Sequence, residues 1–430
     1  MTQITVWVSA LFALLVAGVP IGFGLSLVGV AGFAGFASLP AGLNMLAQTT
    51  VDAVMNYGFS VLPMFLLMGN VIARSRIAEE LYDAAGAFIG HRRGGLAGAT
   101  VIACGGFGAV CGSSVATAAT MARISGPVMI GRGYAPSLAM GSVAAGGTLG
   151  ILIPPSVAMV IYGLITETDI GELFIAGILP GLVGIACYLG AVWVQCRLRP
   201  DLGPAAERVP WPVRLRLVAK LWPVLTLFGI VVGGIYAGVF TATEAAGIGA
   251  VGACLLALVR GDLGWRGFVE VFAETGQATA MLFMVVIGAL ALTAFMNVAG
   301  LPPFVSGLIA ALDLPPFAIL LVILLIYIVL GCFLDSMAIM LLTVPIFFPI
   351  VTGLGYDPVW FGILVVCVIE IGLISPPFGM NLFVARAVVP QVTIGEIYRG
   401  VMPFIGADIV RLAILLAFPG ITLLLTGRPW

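Results

Sequence analysis

Four groups of small polar residues and prolines interrupt long apolar runs of this chain. Two of the runs, 95–127 and 316–349, are too long for one tilted membrane span and contain glycine, serine or aspartate midway. Two others, 136–168 and 358–389, carry Pro-Pro near the centre, and proline breaks a helix because it lacks a backbone donor and clashes with the preceding turn. Helix ends at such breaks can coordinate a cation through carbonyls or hold a carboxylate through amides. The interrupting sequences are Gly108-Ala109-Val110-Cys111-Gly112-Ser113-Ser114, Gly331-Cys332-Phe333-Leu334-Asp335-Ser336, Gly150-Ile151-Leu152-Ile153-Pro154-Pro155-Ser156 and Gly372-Leu373-Ile374-Ser375-Pro376-Pro377-Phe378-Gly379.

The side-chain oxygens at and beside these breaks suit a monovalent cation. They are hydroxyls and one amide, on Ser113, Ser114, Thr117, Ser336, Ser375 and Asn381. Hard oxygen ligands without paired carboxylates suit Na⁺ better than a divalent ion. The alternative is that these small residues serve only to let helices pack closely. Repetition of the four motifs as a set favours a binding site.

Asp335 is an acidic residue inside an apolar run, where an ionised side chain is costly unless it is paired or hydrated. One hypothesis is that it faces a cavity and helps either to form the second cation site or to couple cation transport to substrate transport. The alternative is a structural hydrogen bond to the backbone of the turn.

Glu370 lies one turn before the second Pro-Pro pair and is interpreted as bracing that break. Asp408 and Arg411 are three residues apart and are predicted to pair with each other.

The composition requires elements that lie in lipid. Of the 430 residues, 61% are hydrophobic and 9% are charged, whereas a soluble domain carries about 25% charge. At roughly 20 residues per span, the chain can form about ten crossings. The predicted fold class is therefore an all-α polytopic membrane protein.

A net charge of −1 with one lysine argues against nucleic-acid binding. The chain has one histidine, which leaves little metal or acid–base chemistry, so no enzymatic activity and no cofactor are predicted.

The two halves of the chain repeat at a constant offset. Ser113 aligns with Asp335 (335 − 113 = 222), and the same offset takes Gly150 to Gly372 and Pro154-Pro155 to Pro376-Pro377. The predicted organisation is a first repeat at 1–197, a cytoplasmic linker at 198–217 and a second repeat at 218–430. Each repeat contains scaffold helices, a re-entrant helical hairpin and a Pro-broken helix: 3–74, 95–127 and 136–168 in the first, and 218–297, 316–349 and 358–389 in the second.

The distribution of arginine predicts that the repeats are inverted. Arginines cluster beside the first hairpin and in the linker, which places both at the cytoplasm, whereas 300–316 and 352–358 have no basic residue and are predicted to be external. An odd number of crossings then separates the hairpins. Inverted repeats with broken helices are the architecture of secondary transporters.

Several of these motifs together resemble the large membrane subunit of a tripartite ATP-independent periplasmic (TRAP) transporter. The resemblance extends from about residue 4 to 425 and is carried by Gly112-Ser113-Ser114-Val115-Ala116-Thr117, Gly147-Thr148-Leu149-Gly150-Ile151-Leu152-Ile153-Pro154-Pro155-Ser156, Leu334-Asp335-Ser336-Met337-Ala338 and Ile374-Ser375-Pro376-Pro377-Phe378-Gly379-Met380-Asn381. It implies an elevator-type, Na⁺-coupled importer of organic acids, such as C4-dicarboxylates or sialic acids, in a bacterial inner membrane. It also implies two partners, a small four-helix membrane subunit and a periplasmic substrate-binding protein.

The resemblance also implies ion sites at each hairpin tip against its Pro-Pro break. The first Na⁺ site is assigned to Gly112, Ser113, Ser114, Gly147, Gly150 and Pro154. The second is assigned to Gly331, Asp335, Ser336, Gly372, Ser375 and Phe378. Contacts to the organic acid are predicted for Ser113, Thr117, Ser156, Asp335 and Asn381. No metal other than Na⁺ is predicted.

Three alternative functions remain open at this point. One is a stand-alone dicarboxylate or anion symporter with the same two-hairpin architecture. A channel is a second, although inverted repeats favour alternating access. A membrane subunit of a redox complex is the third, but it would need intramembrane histidine or cysteine ligands, or a line of lysine and glutamate, that this sequence lacks.

Overall fold

A computed structural model of the chain describes residues 2–428, with the exception of 302, 305–306 and 308–313. Most of the interior of the stretch 300–316, which is predicted to be external, therefore lies outside the described residues. The described residues form helices joined by short turns, and no strand occurs among them. The prediction of an all-α chain is confirmed.

The first half contains ten helices among the described residues. They are α1 (Thr2–Val16), α2 (Ile21–Phe36), α3 (Leu39–Met55), α4 (Val61–Ala73), α5 (Ile77–Ile89), α6 (Gly95–Cys111), α7 (Ser114–Gly131), α8 (Pro136–Leu152), α9 (Val157–Thr166) and α10 (Ile170–Leu198). A 3₁₀ turn at Tyr57–Ser60 joins α3 to α4, and another at Pro200–Leu202 follows α10.

The described part of the second half is also built from helices, which vary in length from 4 to 34 residues. They are α11 (Trp211–Ala219), α12 (Trp222–Tyr236), α13 (Ala242–Arg260), α14 (Trp265–Val298), α15 (Pro316–Gly331), α16 (Ser336–Gly353), α17 (Pro358–Ile374), α18 (Met380–Val388), α19 (Ile394–Ala417) and α20 (Gly420–Leu423).

The helix bounds follow the offset found in the sequence. The helix α7 begins at Ser114 and α16 at Ser336 (336 − 114 = 222), and α8 begins at Pro136 and α17 at Pro358 (358 − 136 = 222). One difference between the halves lies in the helices that precede the hairpins. The bent pair formed by α3 and by Tyr57–Ala73 turns through 58°, whereas the corresponding stretch of the second half is the single helix α14. The re-entrance of the hairpins and the inversion of the repeats stay predictions.

Six helices among the described residues are long and apolar enough to cross a membrane, or up to eight if each of two bent pairs is one span. Four further apolar helices are shorter: α2, α6, α15 and α17. Three of these four, α6, α15 and α17, are a hairpin arm or the first half of a broken helix, so a count by length falls below the predicted total of about ten.

The centre of the molecule is formed by the broken helices α8 and α17, which are buried along nearly their whole length. The two hairpins, α6–α7 and α15–α16, pack against them. The helices α2 and α14 lie side by side through backbone contact, because a β-carbon on Gly29 would lie 2.6 Å from the carbonyl carbon of Ala291. We refer to α1–α4 together with α12–α14 as the scaffold.

Candidate binding site at the hairpin tips

The tips of the two hairpins share one cavity of about 590 Å³. Ser113 and Ser114 line it from the first hairpin, and Asp335 and Ser336 line it from the second. Most of the remaining wall comes from the start of α9, the start of α2 and the middle of α14, with single residues from α4, α8 and α18. The cavity therefore lies between the hairpins and the scaffold.

The first tip is a sharp turn between α6 and α7. Gly112 ends α6 in the left-handed conformation (φ 67°), and Ser113 caps α7 by accepting a hydrogen bond at Oγ from the Ala116 amide, 3.4 Å away. The Val157 amide, just after the Pro-Pro break, donates to the Gly112 carbonyl at 3.4 Å. One backbone hydrogen bond thus joins the tip to the break.

The second tip repeats this arrangement with a different capping residue. Asp335 caps α16 by accepting a 2.7 Å hydrogen bond at Oδ1 from the Ala338 amide. The Gly379 amide donates to the Cys332 carbonyl at 3.2 Å, which joins this tip to its own break. The structural hydrogen bond considered for Asp335 is therefore present, and the same residue also lines the cavity.

Paired glycines bring each hairpin into backbone contact with its broken helix. A β-carbon on Gly108 would lie 2.6 Å from the Cα atom of Gly150. A β-carbon on Gly331 would lie 2.9 Å from the Cα atom of Gly372. Only glycine permits this approach, which holds the carbonyls at the break close to the hairpin tip.

The residues assigned to ion sites fall into two groups. Five of them line the cavity: Gly112, Ser113, Ser114, Asp335 and Ser336. The others lie behind the tips, at the crossings and the breaks: Gly147, Gly150, Pro154, Gly331, Gly372, Ser375 and Phe378. Gly147 packs on Ala118, the Ser375 hydroxyl donates to the Ile371 carbonyl at 2.7 Å, and Phe378 is 53% exposed.

Three of the residues predicted to contact the organic acid do not line the cavity. The Thr117 hydroxyl donates to the Ser113 carbonyl at 2.7 Å, and the Ser156 hydroxyl donates to the Ile151 carbonyl at 2.5 Å. Asn381 donates through Nδ2 to the Ala144 carbonyl at 3.3 Å, which links α18 to α8. All three side chains are fully buried and donate to backbone carbonyls, at the first hairpin tip, at the first break and on α8, respectively.

Most of the side chains that the scaffold contributes to the cavity wall are apolar, and none of them was predicted from the sequence. It includes Phe23 of α2 together with Met281 and Met284 of α14. These side chains belong to ordinary apolar helices, so no motif in the sequence distinguishes them. Among the described residues that line the cavity, Asp335 is the one with an ionisable side chain.

A buried polar cluster lies away from the cavity. Arg411 Nη2 lies 2.6 Å from Glu370 Oε2 and 2.9 Å from Asp408 Oδ1. The Tyr188 hydroxyl donates to Asp408 Oδ2 at 2.7 Å. The predicted pairing of Asp408 with Arg411 is present, but the partnership of Glu370 with Arg411 and the part played by Tyr188 were missed, because 41 positions separate Glu370 from Arg411 (411 − 370 = 41).

Within the described part of the chain, no group of three or more histidine, cysteine, aspartate or glutamate side chains is arranged to hold a metal ion. The oxygen atoms at the tips are hydroxyls, backbone carbonyls and the single Asp335 carboxylate. That donor set fits a weakly held monovalent cation better than a resident divalent metal.

Comparison with known sequences identifies relatives along nearly the whole chain. Residues 8–421 match the family described as "Tripartite ATP-independent periplasmic transporter, DctM component". The C4-dicarboxylate TRAP transporter large permease protein DctM of Pseudomonas aeruginosa is 38% identical over 90% of both chains. The sialic acid TRAP transporter large permease protein SiaM of Vibrio cholerae is 32% identical over 97% of this chain and 96% of that protein. The isethionate TRAP transporter permease protein DctMQ of Oleidesulfovibrio alaskensis is 32% identical over 97% of this chain and 65% of its own length.

A solved structure shares the fold at low sequence identity. The YdaH transporter of Alcanivorax borkumensis superposes with a TM-score of 0.65 at 18% identity, covering 88% of this chain and 89% of that chain. This likeness concerns the fold alone.

Proposed function

This chain belongs to the family of DctM components of tripartite ATP-independent periplasmic (TRAP) transporters, and we propose on that premise that it imports an organic acid coupled to Na⁺. It is a large permease subunit, a multi-pass membrane protein and not an enzyme. The cavity shared by the two hairpin tips is the observation that carries the proposal.

The charge of the cavity supports coupling to a cation. Asp335 supplies a negative charge, and no described lining residue supplies a positive one. A carboxylate bound beside Asp335 would be repelled, because two like charges a few ångströms apart in a partly desolvated site oppose each other. Na⁺ bound at the tips would offset that repulsion, so the acid and the cation would bind better together than either binds alone.

The geometry of the tips supports binding of a carboxylate. The N-terminal ends of α7 and α16 both open on the cavity through Ser114 and Ser336. Helix N-termini offer free amides and a partial positive charge to an anion. Two of the relatives are named for C4-dicarboxylates and sialic acid, which are organic acids, and we propose the same substrate class here.

The boundary between hairpins and scaffold supports an elevator mechanism. The cavity has one wall from the hairpins and another from α2 and α14, so it lies on the surface along which the two parts would slide. We propose that the hairpins and broken helices move together as a transport unit while the scaffold stays fixed.

We also propose that two partners act with this chain in a bacterial inner membrane. One is a small four-helix membrane subunit, and a relative that is a DctMQ fusion supports this partnership. The other is a periplasmic protein that delivers the substrate, as the family description implies.

Uptake into proteoliposomes tests the proposal. The vesicles would contain this chain with its small subunit, and radiolabelled succinate and N-acetylneuraminate would be offered with and without the cognate binding protein and an inward Na⁺ gradient. We expect uptake of an organic acid that needs both the binding protein and Na⁺. Uptake by this chain alone would indicate a stand-alone symporter, and uptake driven equally by a proton gradient would contradict Na⁺ coupling.

A further inference from the structure

The helix α11, which follows the linker between the two halves, combines exposed apolar side chains with exposed basic ones. It leads into α12 through a bend of 47°, and the two helices together are apolar enough to span a membrane. The chain has no acidic residue from 208 to 243, a stretch that contains all of α11. None of the residues of α11 lines the tip cavity, so the proposed transport function does not account for them.

One side of α11 is an exposed apolar stripe. Trp211, Leu215 and Val218 are spaced by four and three residues, which places them on the same side of a helix. All three are exposed, and Leu215 exposes 63% of its surface. Trp222, four residues after Val218, is also exposed at the start of α12. Such a stripe is costly in water and stable in the apolar part of a membrane surface.

The side of α11 away from this stripe is basic. Arg216 and Lys220 lie four residues apart on one side of the helix, and both are exposed. Arg208, just before α11, is exposed as well. Within the described part of the chain, none of these three side chains has an acidic partner within 4.0 Å. Asp83 of α5 acts on Lys220 only from farther away.

The third side of α11 attaches the helix to the protein. Arg214 is 4% exposed, and its Nε donates to the Val209 carbonyl at 2.8 Å. Its guanidinium carbon lies 5.0 Å from the ring centroid of Trp211 and 5.6 Å from that of Phe88 on α5. Arg214 is therefore satisfied inside the protein, in contrast to Arg216 two residues later.

The linker that precedes α11 is fixed to the turn between α5 and α6. The Gly94 amide donates to the Gly203 carbonyl at 2.9 Å, and the Ala206 amide donates to the Gly90 carbonyl at 3.0 Å. The helix α11 is thus held in place at both ends, by this linker and by α12. Its apolar and basic sides are presented in a fixed orientation.

A helix with tryptophan and leucine on one side and basic residues on another is typical of the membrane–water interface. Basic residues next to a spanning helix attract the headgroups of anionic lipids. We propose that Arg208, Arg216 and Lys220 bind the phosphate group of an anionic phospholipid while the apolar stripe of α11 lies against its acyl chains. This inference does not depend on the proposed Na⁺ coupling or on the substrate.

The charge of the surface selects the class of lipid. The headgroup of phosphatidylcholine pairs its phosphate with a positive amine and is neutral overall, so it cannot offset several unpaired basic residues. The headgroup of phosphatidylglycerol carries a net negative charge. Each basic residue near an anionic headgroup strengthens binding about fivefold.

Binding of lipid to the purified permease in complex with its small subunit tests the proposal. Phosphatidylglycerol or phosphatidylcholine would be added to the complex in detergent, and the bound lipids would be counted by native mass spectrometry. We expect tighter binding of phosphatidylglycerol to the wild type. Arg216→Gln/Lys220→Gln should weaken it about 25-fold and leave phosphatidylcholine binding unchanged. Equal affinity of the wild type for the two lipids would overturn the proposal.

Arg92→Gln/Arg93→Gln is the matched control. It removes the same charge from two exposed arginines of the turn between α5 and α6, which are followed by glycines rather than by an apolar stripe. We expect this variant to bind phosphatidylglycerol like the wild type. An equal loss of binding in both double variants would show that net charge alone attracts the lipid and would overturn the proposal.

Leu215→Ser tests the apolar half of the surface. It should weaken binding of phosphatidylglycerol without changing how steeply binding falls as salt is added, whereas Arg216→Gln/Lys220→Gln should flatten that dependence, because salt screens charges and not apolar contacts. Unchanged binding in Leu215→Ser would contradict the assigned position of the acyl chains. Phosphatidylglycerol that binds the permease alone but not its complex with the small subunit would assign the surface to a protein contact and overturn the proposal.

Discussion

The two Pro-Pro breaks share one backbone design but differ in how deeply they are buried. Pro154, Pro155 and Ser156 of the first break are all buried, whereas Pro376, Pro377 and Phe378 of the second are exposed. Each tip is nevertheless joined to its break by one backbone hydrogen bond, and the donors Val157 and Gly379 are related by the offset (379 − 157 = 222). The repeat therefore keeps the local geometry, and other parts of the structure set the degree of burial.

Residues outside the repeated motifs explain part of the difference. Gly177 and Gly181 of α10 let that helix lie directly on Leu152 and Ile153 at the first break. At the equivalent positions α19 has larger residues, Arg399 and Pro403 (399 − 177 = 222; 403 − 181 = 222). A helix bearing these side chains cannot make the same close approach.

The residue after each Pro-Pro pair also differs. Ser156 caps α9 by accepting from the Met159 amide at 3.3 Å. Its equivalent, Phe378, instead lies against Phe333 with ring centroids 5.5 Å apart, and both rings are more than half exposed. The first break is thus capped by a buried hydroxyl. The second break is exposed, with Phe378 against Phe333 and with the Pro377 carbonyl accepting from the Tyr398 hydroxyl.

The largest effect is expected at the glycine crossings, where both hairpins meet their broken helices glycine to glycine although Gly331 lies one position beyond the offset equivalent of Gly108 (331 − 108 = 223). Gly108→Ala and Gly331→Ala each place a methyl group against backbone, at 2.6 Å and 2.9 Å from a Cα atom. Overpacking of this kind costs about 1–3 kcal/mol, and we expect poor yields and a lower melting temperature of the purified permease from both variants.

Gly131→Ala and Gly353→Ala are matched controls for this prediction. These two glycines are also related by the offset (353 − 131 = 222), and a β-carbon at either would meet nothing within 4 Å. Both controls should melt at or above the wild-type temperature. An equal decrease in melting temperature in the controls and the crossing variants would show that the close backbone contact at the crossings does not cause the loss of stability.

The next largest effect concerns the residues that cap the second arm of each hairpin. Asp335→Ala should abolish or uncouple uptake, whereas Ser113→Ala should cost about 0.5–2 kcal/mol of stability through loss of a cap and leave more of the uptake intact. Uptake into proteoliposomes and melting temperature would be measured for both.

Asp335→Ser separates the charge from the cap, because serine is the residue that the first half uses at this position. We expect this variant to fold like the wild type and to lose uptake. Wild-type uptake by Asp335→Ser would mean that Asp335 acts as a cap alone.

The smallest effects should distinguish the buried break from the exposed one. Ser156→Ala removes a buried hydroxyl with two hydrogen bonds and should destabilise the protein by about 1–2 kcal/mol. Phe378→Ala removes a much larger side chain but one that is half exposed, so we expect a loss below about 1 kcal/mol. A larger loss for Phe378→Ala than for Ser156→Ala in thermal unfolding would contradict the comparison.

Much of the helical framework could be predicted from the sequence because its determinants are local. The helices α8 and α17 stop at their Pro-Pro pairs as expected, although single prolines such as Pro180 and Pro403 lie inside helices. The offset of 222 residues between the halves could also be read from the sequence, because glycine and proline positions of the two halves align without gaps. The family resemblance assigns Ser113 and Asp335 to different ion sites and to one substrate site, and both residues line one cavity.

The sequence by itself determined that the chain is a membrane protein, because its composition is too apolar for a soluble fold. It also determined where the helices break and which residues form the hairpin tips, because proline, glycine and capping residues act on the backbone next to them. Tertiary structure alone decided that Thr117, Ser156 and Asn381 turn away from the cavity, that α2 and α14 close it, and that Glu370 meets Arg411. These outcomes depend on the packing of helices that are distant in sequence, and apolar helices carry no pattern that specifies their neighbours.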